Sequence, residues 1–327
     1  MRICVAGGAG YVGSRLVPEL LKKGHQVVVL DLYLYGDHVL DPHPHLTQIK
    51  ADIRDLKAVE TSLKGCDAVI HLACISNDPS FELNPELGKS INLDAFEPFV
   101  LAAKKSKVNR FIYASSSSVY GVKDAPNVTE EMSLEPLTDY SKFKAECEKI
   151  LLRHLSDDFI CTVLRPATVC GFAPRLRLDV VVNILTNLAY NTGKVKVMGG
   201  SQMRPNIHVE DMVRAYLLVL GSPKEKVQGE IFNVGYHNHT VLALGKMVQS
   251  IVGKKRPVDL LLESTNDNRS YHVSSDKIAK KLSFLPKYTI EDAISGLVEA
   301  FQAGKIPNSM EDPRYFNIKT MKGINLK

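Results

Sequence analysis

No apolar run in this 327-residue chain reaches the roughly 20 residues that a membrane-spanning helix needs. The N-terminus also lacks the layout of a secretory signal, so a cytoplasmic protein away from membranes is expected. Among the six cysteines, Cys4, Cys66, Cys74, Cys147, Cys161 and Cys170, there is no Cys-x-x-Cys pair and no Cys/His grouping at zinc spacing. Neither a disulfide framework nor a structural metal is expected; free thiols in a reducing compartment are. His38, His43 and His45 cluster in a segment that brings no matched ligands, so no metal is expected there either. Internal repeats and low-complexity tracts are absent. No strong excess of one charge exists: 41 Lys and Arg stand against 36 Asp and Glu, for a net +5. The basic residues are scattered, which argues against a nucleic-acid groove and suits a small anionic ligand. What remains, 45% hydrophobic and 24% charged, is ordinary globular composition, enough for one large or two smaller domains.

The first half alternates short β-rich runs with helical patterns. Strands are expected at "RICVAG", "HQVVVLD", "HLTQIKADI", "DAVIHLA" and "RFIYASS", and helices over 12–23, 56–64 and 91–106. The opening strands are nearly unbroken apolar runs, the pattern of a parallel sheet covered on both faces. Alternation of this kind predicts a doubly wound, Rossmann-type α/β sheet. A helix over 139–154 follows, with Thr138 or Asp139 as its N-cap, and then "FICTVLRPATV" as a single strand. Beyond Gly171 the rhythm changes to shorter, mixed elements. The expected division is a nucleotide-binding domain over 1–171, rejoined by 209–236. A smaller mixed α/β domain over 172–208 and 237–327 completes the chain. Residues 311–327 read as a polar, loosely packed tail.

The sharpest local signal is Gly7-Gly8-Ala9-Gly10-Tyr11-Val12-Gly13, which follows a strand and opens a helix. Gly7 permits the tight turn, Gly10 lets backbone approach a diphosphate, and Gly13 lets helix and strand pack closely. The diphosphate then rests on the free N–H groups at the helix start. Asp31 ends the second strand, where a carboxylate accepts both ribose hydroxyls and repels a 2′-phosphate. Leu32 and Tyr33 offer no arginine to receive one, so NAD is expected rather than NADP. Asp52-Ile53-Arg54, at the end of the third strand, is expected along the adenine.

The chain resembles the extended short-chain dehydrogenase/reductase superfamily, whose members mostly modify nucleotide-activated sugars. The resemblance runs in order through GGAGYVG, Asp31, "ADIRD" (51–55), "HLA" (71–73), "INLDA" (91–95), "YASSSSVYG" (113–121), Tyr140 with Lys144, "LRPATVCG" (164–171) and "RPNIHVEDM" (204–212). It adds Leu72, Ala73 and Asn92 to the expected cofactor contacts. It also implies a role for the tyrosine and lysine, which share one helix face. A phenol titrates near 10 in isolation, but an ammonium one turn away and a positive nicotinamide ring both favour the phenolate. Tyr140 would then take a proton from a sugar hydroxyl while hydride leaves the same carbon for NAD. Lys144 would also hold the nicotinamide ribose. The family's spacing before Tyr120 selects Ser116 to hydrogen-bond the reacting oxygen, with Ser117 beside the substrate.

The resemblance also suggests Arg204 for the nucleotide diphosphate, with Arg175, Arg177 and Arg269 as further substrate contacts. His208 is expected to order the loop beside Arg204. The family's 4,6-dehydratases carry an Asp-Glu pair, and its decarboxylases a glutamate, where this chain has Ser117 and Ser118. Small neutral residues at these positions resemble the hexose 4-epimerases, which invert the 4-hydroxyl and regenerate NAD in each cycle. Thr168 and Cys170, together with "PRLRLDVVVN" (174–183) and "NRSYHVS" (268–274), resemble a branch containing bacterial GDP-heptose 4-dehydrogenases. A nucleotide-sugar 4-epimerase is therefore the leading expectation. A 4-dehydrogenase or ketoreductase with net redox change is the alternative, and a non-catalytic NAD-binding sensor a remote one. The substrate would be a UDP- or GDP-linked sugar. Family members usually pair through two long helices into a four-helix bundle, which implies a homodimer.

Overall fold

The first strand, β1 (Arg2–Ala6), carries Ile3, Cys4, Val5 and Ala6 without polar alternation, and all four are fully buried. Such a strand needs cover on both faces. The computed structural model describes every residue except Asn77, Asp124, Pro126, 266–269, Tyr271, Asn325 and Lys327, and except the side chains of Asp78 and Pro79. In it, β1 sits inside a sheet with β2 (Gln26–Asp31), β3 (Leu46–Lys50), β4 (Ala68–His71), β5 (Arg110–Ala114) and β6 (Ile160–Pro166).

Three short strands, β7 (Thr168–Cys170), β8 (Lys194–Met198) and β9 (Met203–His208), lie elsewhere, and β10 (Ile231–Val234) returns to complete the sheet. The order of this seven-stranded sheet is β10-β6-β5-β4-β1-β2-β3, with every neighbouring pair parallel. The chain runs outward from β1 to β3 and then crosses back to β4. A crevice therefore opens at the carboxyl ends of β1 and β4, where open α/β sheets bind ligands.

Two apolar layers cover the sheet. On one face, Leu16, Val17 and Leu20 of the helix Gly13–Lys22 pack with Met212, Tyr216 and Val219 of the helix Val209–Gly221. On the other, Leu63, Phe96, Phe99, Cys147 and Leu151 share one cluster. A third core, around Val182, Val195, Leu244 and Ile294, belongs to the smaller region. There β9 lies between β7 and β11 (Asn238–Thr240) and pairs with both, and β8 pairs with β12 (Asp259–Glu263).

Three expectations need correction. The helical pattern over 91–106 is split into a π-turn, Ser90–Asp94, and an α-helix, Phe96–Lys105. Pro98 has no N–H to donate to the Asp94 carbonyl, and the Ala95 N–H reaches back to Ser90 instead. The single strand expected through "FICTVLRPATV" breaks after Pro166, and the chain passes from the large sheet to the three-stranded one. Proline cannot continue the ladder. The tail is not loose: Asn317 and Thr320 are buried, and the helix Asn317–Gly323 docks against the body. Its polarity signals buried hydrogen bonding rather than solvation. The Leu178 N–H donates to the Tyr315 carbonyl (2.8 Å), and the Asn317 amide donates to Ser76 Oγ (2.8 Å).

The helix Asp139–Arg153 starts at Thr138, whose hydroxyl accepts from the Ser141 N–H. Farther along, Glu148 meets Arg165 of β6 in a bidentate pair (3.0 and 2.6 Å), with both side chains 3% exposed. Arg165 also donates to the Tyr120 hydroxyl (2.7 Å), which donates to Asn233 of β10 (2.7 Å). Removing one partner of such a pair leaves a buried charge and costs about 3–5 kcal/mol. Arg165→Met should lose about that much in urea unfolding, while Glu148→Leu combined with Arg165→Met should recover most of it. A double variant as unstable as the sum of the single ones would refute the pairing energetics.

Candidate active site

The glycine loop is shaped by close approach. Gly7 has φ +79°, and a Cβ there would lie 2.6 Å from the Ala73 nitrogen. A Cβ on Gly13 would lie 2.5 Å from the Gly8 carbonyl oxygen. At Gly10 the added atom would meet only the Gly7 oxygen at 3.2 Å, so this position stays open to a ligand. The Asp31 carboxylate accepts from the N–H groups of Ala9 (2.9 Å) and Tyr33 (2.8 Å), fixing loop to strand. Burial pushes its pKa up, opposed by these N–H groups and by Arg175. Each carboxylate oxygen keeps a further lone pair for a ribose hydroxyl.

These residues edge a cavity of about 830 Å³, within the usual size of ligand sites. Gly7, Gly10, Tyr11, Val12, Gly13, Asp31, Ile53, Leu72 and Ala73, the residues expected at the cofactor, all line it. Asp52 and Asn92 are not among the lining residues. Arg54 holds the Asp52 carboxylate (2.7 Å), and Asn92 clamps the backbone of Ile75 through both ends of its amide. Asn92 thereby orders the loop after β4 from behind. Tyr11 does more than line the wall: its hydroxyl donates to the Gly171 carbonyl and accepts from Asn183.

The opposite wall carries the serine run. Ser115 turns its hydroxyl inward onto Glu148. Ser116 and Ser118 are bonded through their hydroxyls (2.9 Å), Ser118 accepts from Ser141 (3.0 Å), and Ser141 is paired with Thr138 (2.9 Å). Ser116 also caps the short turn Ser117–Tyr120, and Ser117 is buried. Tyr140 and Lys144 face the same cavity. Lys144 is 3% exposed, with Nζ donating to the Ala114 carbonyl at the end of β5 (2.7 Å) and lying 5.8 Å from the Tyr140 ring centre. Next to it the His71 ring packs among Phe96, Phe99 and Phe111; burial, then the Lys144 charge, pulls its pKa down to about 3, and it stays neutral.

Arg175, Arg177 and Arg204 line the cavity too. Arg177 is held by Asp179 (2.7 Å). Burial acts to lower its pKa, but Asp179, with Tyr140 and Tyr35, outweighs this and raises it. Arg175 lies against the Tyr35 ring, 3.5 Å from its centre. Arg269 lies outside the described residues. His208 caps the helix Val209–Gly221, accepting from the Glu210 N–H (3.1 Å), and stacks on Tyr288.

Sequence reasoning missed Tyr35, Ser141 and the tail residues Met321 and Leu326, all of which line the cavity. The Tyr35 signal was an aromatic four residues beyond Asp31; nothing local marked the tail. In charge, Lys144, Arg175, Arg177, Lys196 and Arg204 stand against Asp31 and Asp179 along the wall. Such a lining favours polyanionic ligands.

The family model described as "NAD dependent epimerase/dehydratase family" matches residues 3–235. A UDP-glucose 4-epimerase of Lactobacillus helveticus is 28% identical over 317 residues, covering 90% of this chain and 95% of that protein. A solved UDP-glucose 4-epimerase of Thermotoga maritima, with UDP-glucose, superposes with a TM-score of 0.82 at 27% identity, covering 93% and 100% of the two chains. A UDP-glucuronic acid 4-epimerase of Bacillus cereus, solved with UDP-glucuronic acid and NAD, gives 0.81 at 25% identity, covering 93% and 99%. Glycine loop, serine run, Tyr140 and Lys144 thus fall within a match that spans most of the chain. The chain belongs to the NAD dependent epimerase/dehydratase family.

Proposed function

We propose that this chain is an NAD-dependent nucleotide-sugar 4-epimerase. The observation that carries the reading is the meeting of Ser116, Tyr140 and Lys144 in one cavity with the glycine loop. NAD fits the cradle at Gly10 and the Asp31 carboxylate, and when bound it accepts a hydride from the sugar and gives it back. Tyr140 takes the proton from the sugar hydroxyl as the base and returns it as the acid. Lys144, a buried cation one turn away, favours the phenolate form. Ser116 holds the reacting oxygen, within a chain of hydroxyls that can shift their hydrogens together. Arg204 and Arg177 supply positive charge for the nucleotide diphosphate, with Ser117 behind the sugar.

Elimination of water would need a carboxylic acid and base at the sugar. The described lining residues bring only Asp31, at the ribose end, and Asp179, engaged by Arg177 and the Asn317 N–H. That favours epimerisation over dehydration. Hydride would leave the carbon while the proton leaves its hydroxyl oxygen. Once the ketosugar has turned over, hydride would return to the opposite face of the carbon and the proton to the oxygen, with no net redox change. Incubation with UDP- and GDP-linked hexoses and heptoses, followed by NMR of the sugar, should show inversion at the 4-position without NADH accumulation. Tyr140→Phe should cut turnover by about 10²–10⁴-fold. Stoichiometric NADH with no inverted sugar would replace the epimerase by the 4-dehydrogenase, and unchanged turnover in Tyr140→Phe would remove the phenol from the chemistry. NAD binding with no turnover of any of these sugars would reduce the chain to a sensor.

The free thiols, five of them buried, suit the cytoplasm we propose as its compartment. We also propose a homodimer through the helices Phe96–Lys105 and Asp139–Arg153. Leu101 is 50% exposed on the first of them, an apolar side chain in place to meet a second copy. Sedimentation at micromolar concentration should show a dimer, and Leu101→Glu should shift it toward monomer. A wild-type monomer would overturn this assembly.

A further inference from the structure

Arg175 is 4% exposed and makes no ion pair among the described residues. Its Nη2 donates to the Asn317 amide oxygen and its plane rests on Tyr35, but both partners are neutral. Its Nε has no hydrogen-bond partner among the described residues. The nearby carboxylates are committed elsewhere: Asp179 to Arg177 and the Asn317 N–H, Asp31 to two backbone N–H groups. Arg177 adds like charge, and burial pulls the Arg175 pKa down to about 10. A guanidinium enclosed in this way is costly unless an anion completes it.

Its position indicates which anion. The Arg175 N–H donates to Ser14 Oγ (3.2 Å), in the first turn of the helix that follows the glycine loop. Its charge reaches Asp31 at the end of β2. The Arg175 backbone is thus tied to the helix start, and its side chain lines the same cavity as the glycine loop and the ribose carboxylate, where a dinucleotide diphosphate would be seated. Leu176, buried with Tyr11 and Phe301, anchors the segment from its other side. Arg177, two residues on, serves the Tyr140 side of the cavity.

We infer that Arg175 is a ligand of the cofactor diphosphate, held in place by Asn317, so that the C-terminal segment closes the dinucleotide site opposite the glycine loop. This rests on the NAD reading above, and it moves Arg175 from the sugar nucleotide to the cofactor. An arginine fork matches two phosphate oxygens, which a lysine at the same place would meet as a point charge. The nucleotide sugar carries the same diphosphate chemistry, so the test must separate the two.

Cofactor-free full-length protein would be titrated calorimetrically with NAD, ADP-ribose and UDP, with thermal melting alongside. Arg175→Met should weaken NAD and ADP-ribose by about 10- to 100-fold, the size of a lost charge-assisted contact, and leave UDP nearly unchanged. Arg175→Lys should fall between, and Asn317→Ala should weaken NAD less than Arg175→Met. Without ligand, Arg175→Met should melt no lower than wild type, because it removes an uncompensated buried charge. Its NAD-induced rise in Tm should shrink. Weakened UDP with unchanged NAD would return Arg175 to the substrate. A lower ligand-free Tm with an intact NAD shift would make the residue merely structural; either result overturns the inference. Wild-type protein that binds neither NAD nor ADP-ribose would instead overturn the dinucleotide reading itself.

Discussion

The site depends on how one helix is pinned to the edge of the sheet. Tyr140, Lys144 and Glu148 follow at four-residue steps along the helix Asp139–Arg153, so all three face the carboxyl ends of the strands. Lys144 grips the last carbonyl of β5. Glu148 takes the next residue, Ser115, and Arg165 of β6. With the second and third residues so tied, the first has little freedom to swing. The position of the phenol is thus set by two charges that never meet a ligand's reacting carbon. The same contacts fix the serine run: the Ser115 hydroxyl is drawn onto Glu148, while Ser116 and Ser118 share a hydrogen bond at the cavity wall.

The cavity is strongly biased in charge. Its cations come from four places in the chain: the helix of Tyr140, the segment after Gly171, β8 and β9. Only the first belongs to the nucleotide-binding sheet. The smaller region therefore contributes mainly positive charge, and the large sheet contributes the glycine loop, the Asp31 carboxylate and the Tyr140 phenol. A ligand that bridges the two must be both anionic and long, as a nucleoside-diphosphate sugar is. On the large sheet's side Lys144 and Asp31 cancel, so net electrostatic attraction does not join the two sides of the cavity; hydrogen bonds such as Tyr11 to Gly171 tie its walls instead.

How much of this was legible follows from distance along the chain. The glycine loop and the Tyr140–Lys144 pair are local patterns, and local geometry is what spacing encodes. Asp52 shows a limit even there: its carboxylate is claimed by Arg54, two residues away, a competition that a motif does not reveal. Asn92 sits in a π-turn caused by a proline six residues later, so its amide clamps backbone behind the wall. The meeting of Arg175 with Asn317 joins residues 142 apart, and no periodicity in either segment announces it. The tail misled because polarity usually means water; here Asn317 donates to Asp179 in the segment after Gly171 and to Ser76 in the loop after β4.

Enclosure and reaction type are linked. A dehydrogenase with net turnover must release its reduced cofactor in every cycle, so a segment closing over the dinucleotide would have to open each time. An epimerase recovers the oxidised cofactor in place and can leave it enclosed while sugars enter and leave. The contacts across this side are not those of a freely opening flap: Asn317 alone bonds to Arg175, Ser76 and Asp179, and Tyr315 accepts from Leu178. Breaking several buried hydrogen bonds in each cycle would slow turnover, since each contributes about 0.5–1.5 kcal/mol net and more when a buried partner is left unpaired. A closed cofactor side and a cationic substrate side therefore suit chemistry in which only the sugar exchanges. This argument from the C-terminal segment is independent of the neutral pair Ser117 and Ser118, and it points to the same reaction.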